Sequence, residues 1–455
     1  MSDEVTEGVK DLLGEPKKAI LKISVPMMIG MFVQSLYNIA DGFWVAGLGA
    51  DQLAAVGLFF PFFMIIMALG AGIGVGGSSA ISRRIGERNK EDADNTAVHT
   101  IILGIIIALV FSLPVLPFID NIFNSISGDG NVGDMAADYA RILFAGAVAL
   151  IFSNIANAIL RGEGDAKRAM YGLMLGSGLN IILDPIYIYG LDLGVVGAAL
   201  ATLTSMIVSS CLFIYWLFIK SDTYVDITFK DFTPNKGILK EILSVGVPSS
   251  LAQLSMSIAM VFLNKIVILA GGTDGVAVFT SGWRIVMLGV VPLIGMAVGV
   301  TAVTAAAFGA KDKEKLRTAY LYALKIGVLI ELGLAVLIAI FAHQVAYIFT
   351  YSEGAARISS ELVKFLRITA IFYPTVPLGM LTSAMFRGVA EGTRSLIVTI
   401  LRTVIFQLPV VYLLGITFGF GLSGIWWGIV LGNALAVSIT FLWGRVTIDE
   451  VFQDG

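Results

Sequence analysis

The chain has 455 residues, of which 57% are hydrophobic and 14% charged, with a formal net charge of -3 and a mean hydropathy of +0.88. So few charges would not keep a water-soluble domain dispersed, so the composition describes a multi-pass membrane protein. The mildly acidic balance gives no electrostatic case for nucleic-acid binding, and the single cysteine, Cys211, excludes an internal disulfide and reads as a small core residue.

The residues before Lys18 are polar and acidic, and the first apolar run is long and lacks a small-residue cleavage site. No cleavable signal peptide is expected, and the first helix stays in the protein. Crossing a bilayer takes about 20 apolar residues, and twelve runs satisfy that: 19–48, 53–80, 95–119, 136–160, 168–190, 194–219, 238–270, 276–306, 316–343, 358–386, 395–417 and 421–446. The fold class they imply is all-α integral membrane, with twelve transmembrane helices in two pseudo-symmetric six-helix lobes. The longest polar stretch runs from Lys220 to Gly237 and carries Asp222, Asp226, Lys230, Asp231, Pro234 and Lys236. It separates an N-lobe over residues 1–220 from a C-lobe over 238–455, with a cytoplasmic linker over 221–237.

Lys and Arg in short loops are retained on the cytoplasmic side. One set of connections collects Lys17, Lys18, Arg83, Arg84, Arg88, Lys90, Arg161, Lys167, Arg168, Lys230, Lys236, Lys311, Lys313, Lys315, Arg317, Arg387, Arg394 and Arg445. The opposite connections are acidic or uncharged, with Arg141, Arg357, Lys364 and Arg367 as the exceptions. Both termini are therefore expected in the cytoplasm, with the chain in the cytoplasmic membrane. Three landmarks recur in the two halves. Val25-Pro26 matches Val247-Pro248, the turn from Arg84 to Asp92 matches that from Ala307 to Lys315, and Arg161-Gly162 with Arg168 matches Arg387-Gly388 with Arg394. Six helices per half make the copies parallel about an axis along the membrane normal, with a substrate path between the lobes.

The same landmarks carry a family likeness. The stretch from Pro26 to Asp41, the Arg84-Ile85-Gly86 turn, the loop from Leu160 to Asp165 and its Phe386-Arg387-Gly388 echo look like the multidrug and toxic compound extrusion (MATE) family, over essentially the whole chain. The resemblance implies a secondary active multidrug efflux antiporter. Such a protein exports organic, often cationic, compounds in exchange for inward protons or sodium ions, by alternating access of its two lobes. It would need no cofactor beyond the coupling ion, H+ or Na+, and would work in the bilayer as a monomer.

Asp41, Asp184, Lys265, Arg284, Lys325, Glu331 and Arg402 lie well inside the apolar runs, where a charge costs about 2.5–3.5 kcal/mol and marks function by default. Counted from the outer helix ends, Asp41 is about seven residues in, Asp184 about six and Thr202 about eight, so at about 1.5 Å per residue they share a depth. Asn180 precedes Asp184 by one turn and shares its face, while Gln34, Tyr37 or Asn38, and Asp41 form a polar stripe on the first helix. Two carboxylates facing one apolar cavity can hold a proton between them or share a cation. Oxygens of Asp41, Asn180, Asp184 and Thr202 can also replace the hydration shell of sodium. The resemblance implies the same four positions as the coupling-ion site of archaeal-type and DinF-like members. The plainer reading is that Asp184 caps or breaks its helix beside Pro185 and that Asp41 satisfies backbone groups in a kink.

Pro26 removes a backbone hydrogen bond and can act as a hinge, or it can be an inert proline near a helix end. Gln34, Tyr37, Asn154, Asn157 and Met174 offer amide, aromatic and thioether groups, an adaptable substrate lining. The two asparagines can equally tie neighbouring helices. In the second half, Leu263 and Asn264 stand opposite Asp41, and Leu408 to Val410 opposite Asp184. Members resembling the NorM and eukaryotic branches place an acid on the seventh helix, and none stands here between Glu241 and Asp274. Glu331 is expected in a structural ion pair within the C-lobe, with Lys325, Arg284 or Lys265 nearby. Arg161, Arg168, Arg387 and Arg394, near Glu163, Asp165 and Glu391, are expected to clamp adjacent helices.

His99 and His343 are too far apart in sequence to suggest a metal cluster, no nucleotide loop appears, and the run from Gly70 to Gly77 reads as close helix packing. A flippase for lipid-linked oligosaccharide or cell-wall precursors would share the architecture but calls for a more basic cavity. A major-facilitator carrier would need a fuller motif than Ser82 to Arg88 supplies. An intramembrane enzyme would need clustered histidines, an aspartate-rich metal motif or a poised nucleophile.

Overall fold

The computed structural model describes residues 5–127, 130–220, 222–230, 232–351 and 353–453; Asp231 of the linker lies outside them. The regular elements are helical, with no strand among the described residues. Among the described residues, ten helices are long and apolar enough to span a membrane, and a pair bent by 50° at Gly146 makes an eleventh span. The 74-residue helix Lys236–Gly309 contains two: it would extend roughly 110 Å if straight, against a hydrocarbon core of about 30 Å. At Gly272 its backbone leaves the helical region, at φ 58° and ψ -150°, a conformation that glycine tolerates at little steric cost.

The twelve spans are α1 (Pro16–Ala46), α2 (Ala50–Gly86), α3 (Lys90–Ser112), α4 (Asn131–Ala145 and Ala147–Gly162), α5 (Ala166–Gly190), α6 (Gly194–Lys220), α7 (236–271), α8 (273–309), α9 (Lys313–Ile340), α10 (Ser359–Gly388), α11 (Gly392–Thr417) and α12 (Gly421–Glu450). A short helix, Glu7–Leu13, precedes them and buries Val9 and Leu12. The sequence placed the fourth span as one straight run, and the structure breaks it at Gly146. That backbone lies so close to Leu203 that a Cβ would strike its side chain.

The glycine run of α2 is a packing surface. A Cβ on Gly72 would stand 2.6 Å from the Gly246 carbonyl oxygen of α7, and one on Gly76 would collide with the Ile242 carbonyl. Small residues let apolar helices approach to backbone distance, where dispersion and short polar contacts hold them. Here they bring α2 of the first half against α7 and α8 of the second. Ser250 Oγ donates to the Ala68 carbonyl at 2.9 Å and Ser79 Oγ to the Arg387 carbonyl at 2.6 Å. Arg83 and Arg84 hold the two carboxylate oxygens of Glu241 at 2.7 and 2.8 Å. Among the described residues, the polar contacts joining residues 5–220 to 236–453 lie at the end bearing the basic connections or at mid-span, with none at the acidic end.

The linker is stapled to that basic end. Glu163 Oε2 accepts from the backbone N–H groups of Tyr224 and Val225 at 2.9 and 3.1 Å. His99 Nε2 accepts from Asn235 N–H at 3.0 Å, while its Nδ1 lies 2.8 Å from the Asn95 carbonyl. With both nitrogens so engaged, the proton belongs on Nδ1. The repeated arginines divide by position. Arg168 pairs with Asp165 at 3.5 Å and Asp222 at 2.7 Å, and Arg394 with Glu391 at 3.2 Å and Glu450 at 2.7 Å. Arg161 and Arg387 have no acid partner among the described residues, and Arg387 donates instead to Ser383 at 3.2 Å.

Two expectations are corrected. Cys211 is exposed on α6 rather than part of the core, because Ser205, Ser209 and Phe213 take the buried face and residue 211 points away from it. Glu331 is fully buried, yet neither carboxylate oxygen has a hydrogen-bond partner and no ion pair reaches it among the described residues. Lys325 is six residues earlier, roughly 240° around the helix, and is exposed. Arg284 and Lys265 are also exposed.

Candidate functional site

Glycines on α5 and α6 let the two helices touch. A Cβ on Gly176 would stand 2.7 Å from Ser209 Oγ, and one on Gly197 would stand 2.6 Å from the Tyr187 carbonyl. This close approach brings Asn180 and Asp184, one turn apart on α5, against Thr202 on α6. With the amide oriented by its hydrogen bonds, Asn180 Nδ2 donates to Asp184 Oδ2 at 2.8 Å. Its Oδ1 accepts from Thr202 N–H at 3.1 Å and from Thr202 Oγ1 at 3.2 Å. Asn180 and Asp184 are fully buried and Thr202 is 4% exposed. A polar cluster in such a place survives only with its bonds made.

Asp184 does not end its helix. The chain passes through Pro185 into a widened π turn, Ile186–Gly190, a local distortion frequent at functional sites. Tyr189 in that turn donates its hydroxyl to the Trp44 carbonyl of α1 at 2.6 Å, which fixes α5 against the end of α1 that bears Asp41. Asp41 is half-buried and its Oδ1 has no hydrogen-bond partner among the described residues. It stands within electrostatic range of Asp184, and Tyr37 is in range of Asp41, Asp184 and Thr202. The structure thus brings together the four sequence-selected positions Asp41, Asn180, Asp184 and Thr202, with Tyr37 among them.

Sequence reasoning missed Tyr139 on α4. It is 7% exposed, stands within electrostatic range of Asp41, Asp184 and Tyr37, and packs edge-on against Phe59 at 5.4 Å. A tyrosine at the start of an apolar run looks like an interfacial anchor. Its position near the same helix end as Asp41 was the available signal.

The other named residues spread along the same lobe. Asn157 is buried and its Nδ2 donates to the Ala169 carbonyl at 2.7 Å, tying α4 to α5. Asn154 is half-buried and donates to the Leu150 carbonyl of its own helix at 3.0 Å. Gln34 is half-buried on the α1 stripe, and Met174 is exposed on α5. Pro26 sits within an unbroken α1. Groups of three or more His, Cys, Asp or Glu arranged to hold a metal ion are absent among the described residues.

Comparison with known proteins follows the duplication. The MatE family model matches residues 26–186 and again 248–413. The multidrug export protein MepA of Staphylococcus aureus (strain NCTC 8325 / PS 47) is 29% identical over 438 residues, covering 95% of each chain. A solved structure described as the outward-facing conformation of a multidrug resistance MATE family transporter is 57% identical, with a TM-score of 0.96 over 99% of this chain and 100% of its own. A transporter of the MOP superfamily from Pyrococcus furiosus, described as having a binding pocket of reverse polarity that suggests a different function, is 57% identical, with a TM-score of 0.95 over 98% and 99% of the two chains. These relatives are transporters rather than enzymes, and with most of the sequence matched in two successive copies, the chain belongs to the MATE family of multidrug efflux transporters.

Proposed function

We propose that this protein exports organic, often cationic, compounds in exchange for inward protons or sodium ions, and that Asp41, Asn180, Asp184 and Thr202 hold the coupling ion. The observation that carries the reading is the Asn180 amide, shared between Asp184 and Thr202 in a fully buried cluster beside Asp41 and Tyr37. The positive-inside rule puts the basic end and both termini in the cytoplasm, in the cytoplasmic membrane. The lobes are then joined on the cytoplasmic side and, among the described residues, free of polar contacts on the outside, an outward-open state of an alternating-access cycle worked by a single chain.

Gln34, Tyr37, Asn154, Asn157 and Met174 form the substrate region of the N-lobe, with Asn157 acting through its tie to α5. Pro26 has no N–H to offer the Lys22 carbonyl, so α1 bends there at low cost when the charge at Asp41 and Asp184 changes. The cluster also separates the two candidate ions. A proton on a carboxylate leaves the Asn180 bonds nearly as they are. Sodium ligated by Asn180 Oδ1 requires the amide to turn, so that Nδ2 donates to Thr202 Oγ1 at 3.2 Å and Asp184 loses its donor. Efflux of a fluorescent organic cation from proteoliposomes, driven in turn by an imposed proton gradient and an imposed sodium gradient, tests the coupling. Export under at least one gradient is expected, and export indifferent to both contradicts it.

A further inference from the structure

At the acidic end, Arg141, Arg357, Lys364 and Arg367 are the basic residues that run against the charge asymmetry. Two are neutralised where they stand. Arg141 holds Asp120 at 2.6 Å and Asp138 at 2.8 Å, and Arg357 holds Asp274 at 2.7 Å. The other two converge instead. Arg367 has no carboxylate partner among the described residues, and its Nη2 donates to His343 Nδ1 at 3.4 Å. Lys364 reaches the Ser423 hydroxyl. Its one acid among the described residues, Glu361, is 4.0 Å away and accepts from Trp426 Nε1 at 2.8 Å. His343, Lys364 and Arg367 line one open cavity of about 580 Å³, together with Ser359 and Ser360 at the start of α10.

We propose that this basin binds a phosphate group, presented by an anionic lipid headgroup or as free phosphate. A guanidinium fork beside an ammonium supplies directed donors and a point charge, the pairing that phosphate oxygens select. Serine hydroxyls and the positive end of a 12-residue helix, Ser359–Ala370, add to it. The same charges repel the organic cations proposed as substrates, so the basin is not part of the N-lobe site.

The surroundings favour a lipid as the carrier. His343, Tyr347 and Tyr351 follow one another at four-residue spacing on one face of the chain. The two tyrosines are 67% and 75% exposed, and beside them Ile340 is 62% exposed and Ile348 is 65% exposed. Exposed tyrosines next to exposed aliphatic side chains mark the headgroup level of a bilayer. A phosphate seated between Lys364 and Arg367 would lay its acyl chains along Ile340, Phe341 and Ile348.

The test uses the full chain. In nanodiscs containing phosphatidylglycerol and phosphatidylcholine, native mass spectrometry counts the lipids that stay bound to wild type, K364Q/R367Q and the charge-preserving K364R/R367K. In a second arm, inorganic phosphate alone is titrated calorimetrically into each protein in detergent. Wild type and K364R/R367K are expected to retain phosphatidylglycerol about tenfold better than K364Q/R367Q, about 1.4 kcal/mol, with phosphatidylcholine unaffected and melting temperatures alike. Loss confined to the inorganic-phosphate arm assigns the basin to free phosphate. Wild type and K364Q/R367Q behaving alike in both arms overturns the proposal.

Discussion

At the scale of single residues, Asn180 decides the character of the buried cluster, because its amide hydrogen-bonds both Asp184 and Thr202. Asn180→Ala leaves a buried carboxylate oxygen without its donor, a loss of about 1–3 kcal/mol. The variant should melt several degrees lower in detergent and lose most of its efflux, and a variant with wild-type efflux places the ion chemistry elsewhere. Asn180 and Asp184 were legible in sequence because four residues make one helical turn, and Thr202 because residue counts give depth. Tyr139 was missed, since an aromatic in an apolar run shows its depth but carries no sign of what it faces. The misjudged Glu331 has the same root. Acid and base on one helix look like partners in sequence, but a spacing of six puts them on different faces.

Between elements, the chain depends on glycine contacts and on a docked linker. The Gly70 to Gly77 run was readable as a packing face, but its partner was not, because sequence gives no register between α2 and α7. The break at Gly146 was hidden for a similar reason: it depends on Leu203, far away in the chain. On α1, Pro26→Ala supplies an N–H for the Lys22 carbonyl and stiffens the helix. Efflux should fall with folding intact, and unchanged transport removes the hinge. The linker makes a pH prediction. Burial pushes the Glu163 carboxyl up to about 8, so the docked state takes up a proton more readily than the free segment does. Docking is therefore strongest at and below the ordinary carboxylate range and weakens as pH rises through about 8. Hydrogen exchange at Val225, corrected for intrinsic rates, should accelerate over that interval in wild type and stay level in Glu163→Gln. Equal pH dependence in both proteins contradicts this.

Across the whole molecule, repeated landmarks in the sequence announced two similar halves, and the family match at 26–186 and 248–413 follows the same periodicity. Sequence could not show which ends of the halves meet, because that depends on contacts such as Glu241 with Arg83 and Arg84. Arg83 is almost wholly buried, and removing one partner of a buried pair costs about 3–5 kcal/mol. Glu241→Gln should therefore shift the lobes towards opening at the basic end, seen as longer spin-label distances between the ends of α2 and α7; an unchanged distance distribution shows that the glycine contacts suffice. The repeat also sharpens the central claim, since the acids at Asp41 and Asp184 have no counterparts in the second half. Efflux of a fluorescent organic cation from proteoliposomes by Asp41→Asn and Asp184→Asn, under whichever gradient drives the wild type, tests that claim most directly. The account predicts that each substitution lowers gradient-driven export at least about tenfold, the cost of losing one strong polar interaction, while the variants still fold; full activity in both contradicts it.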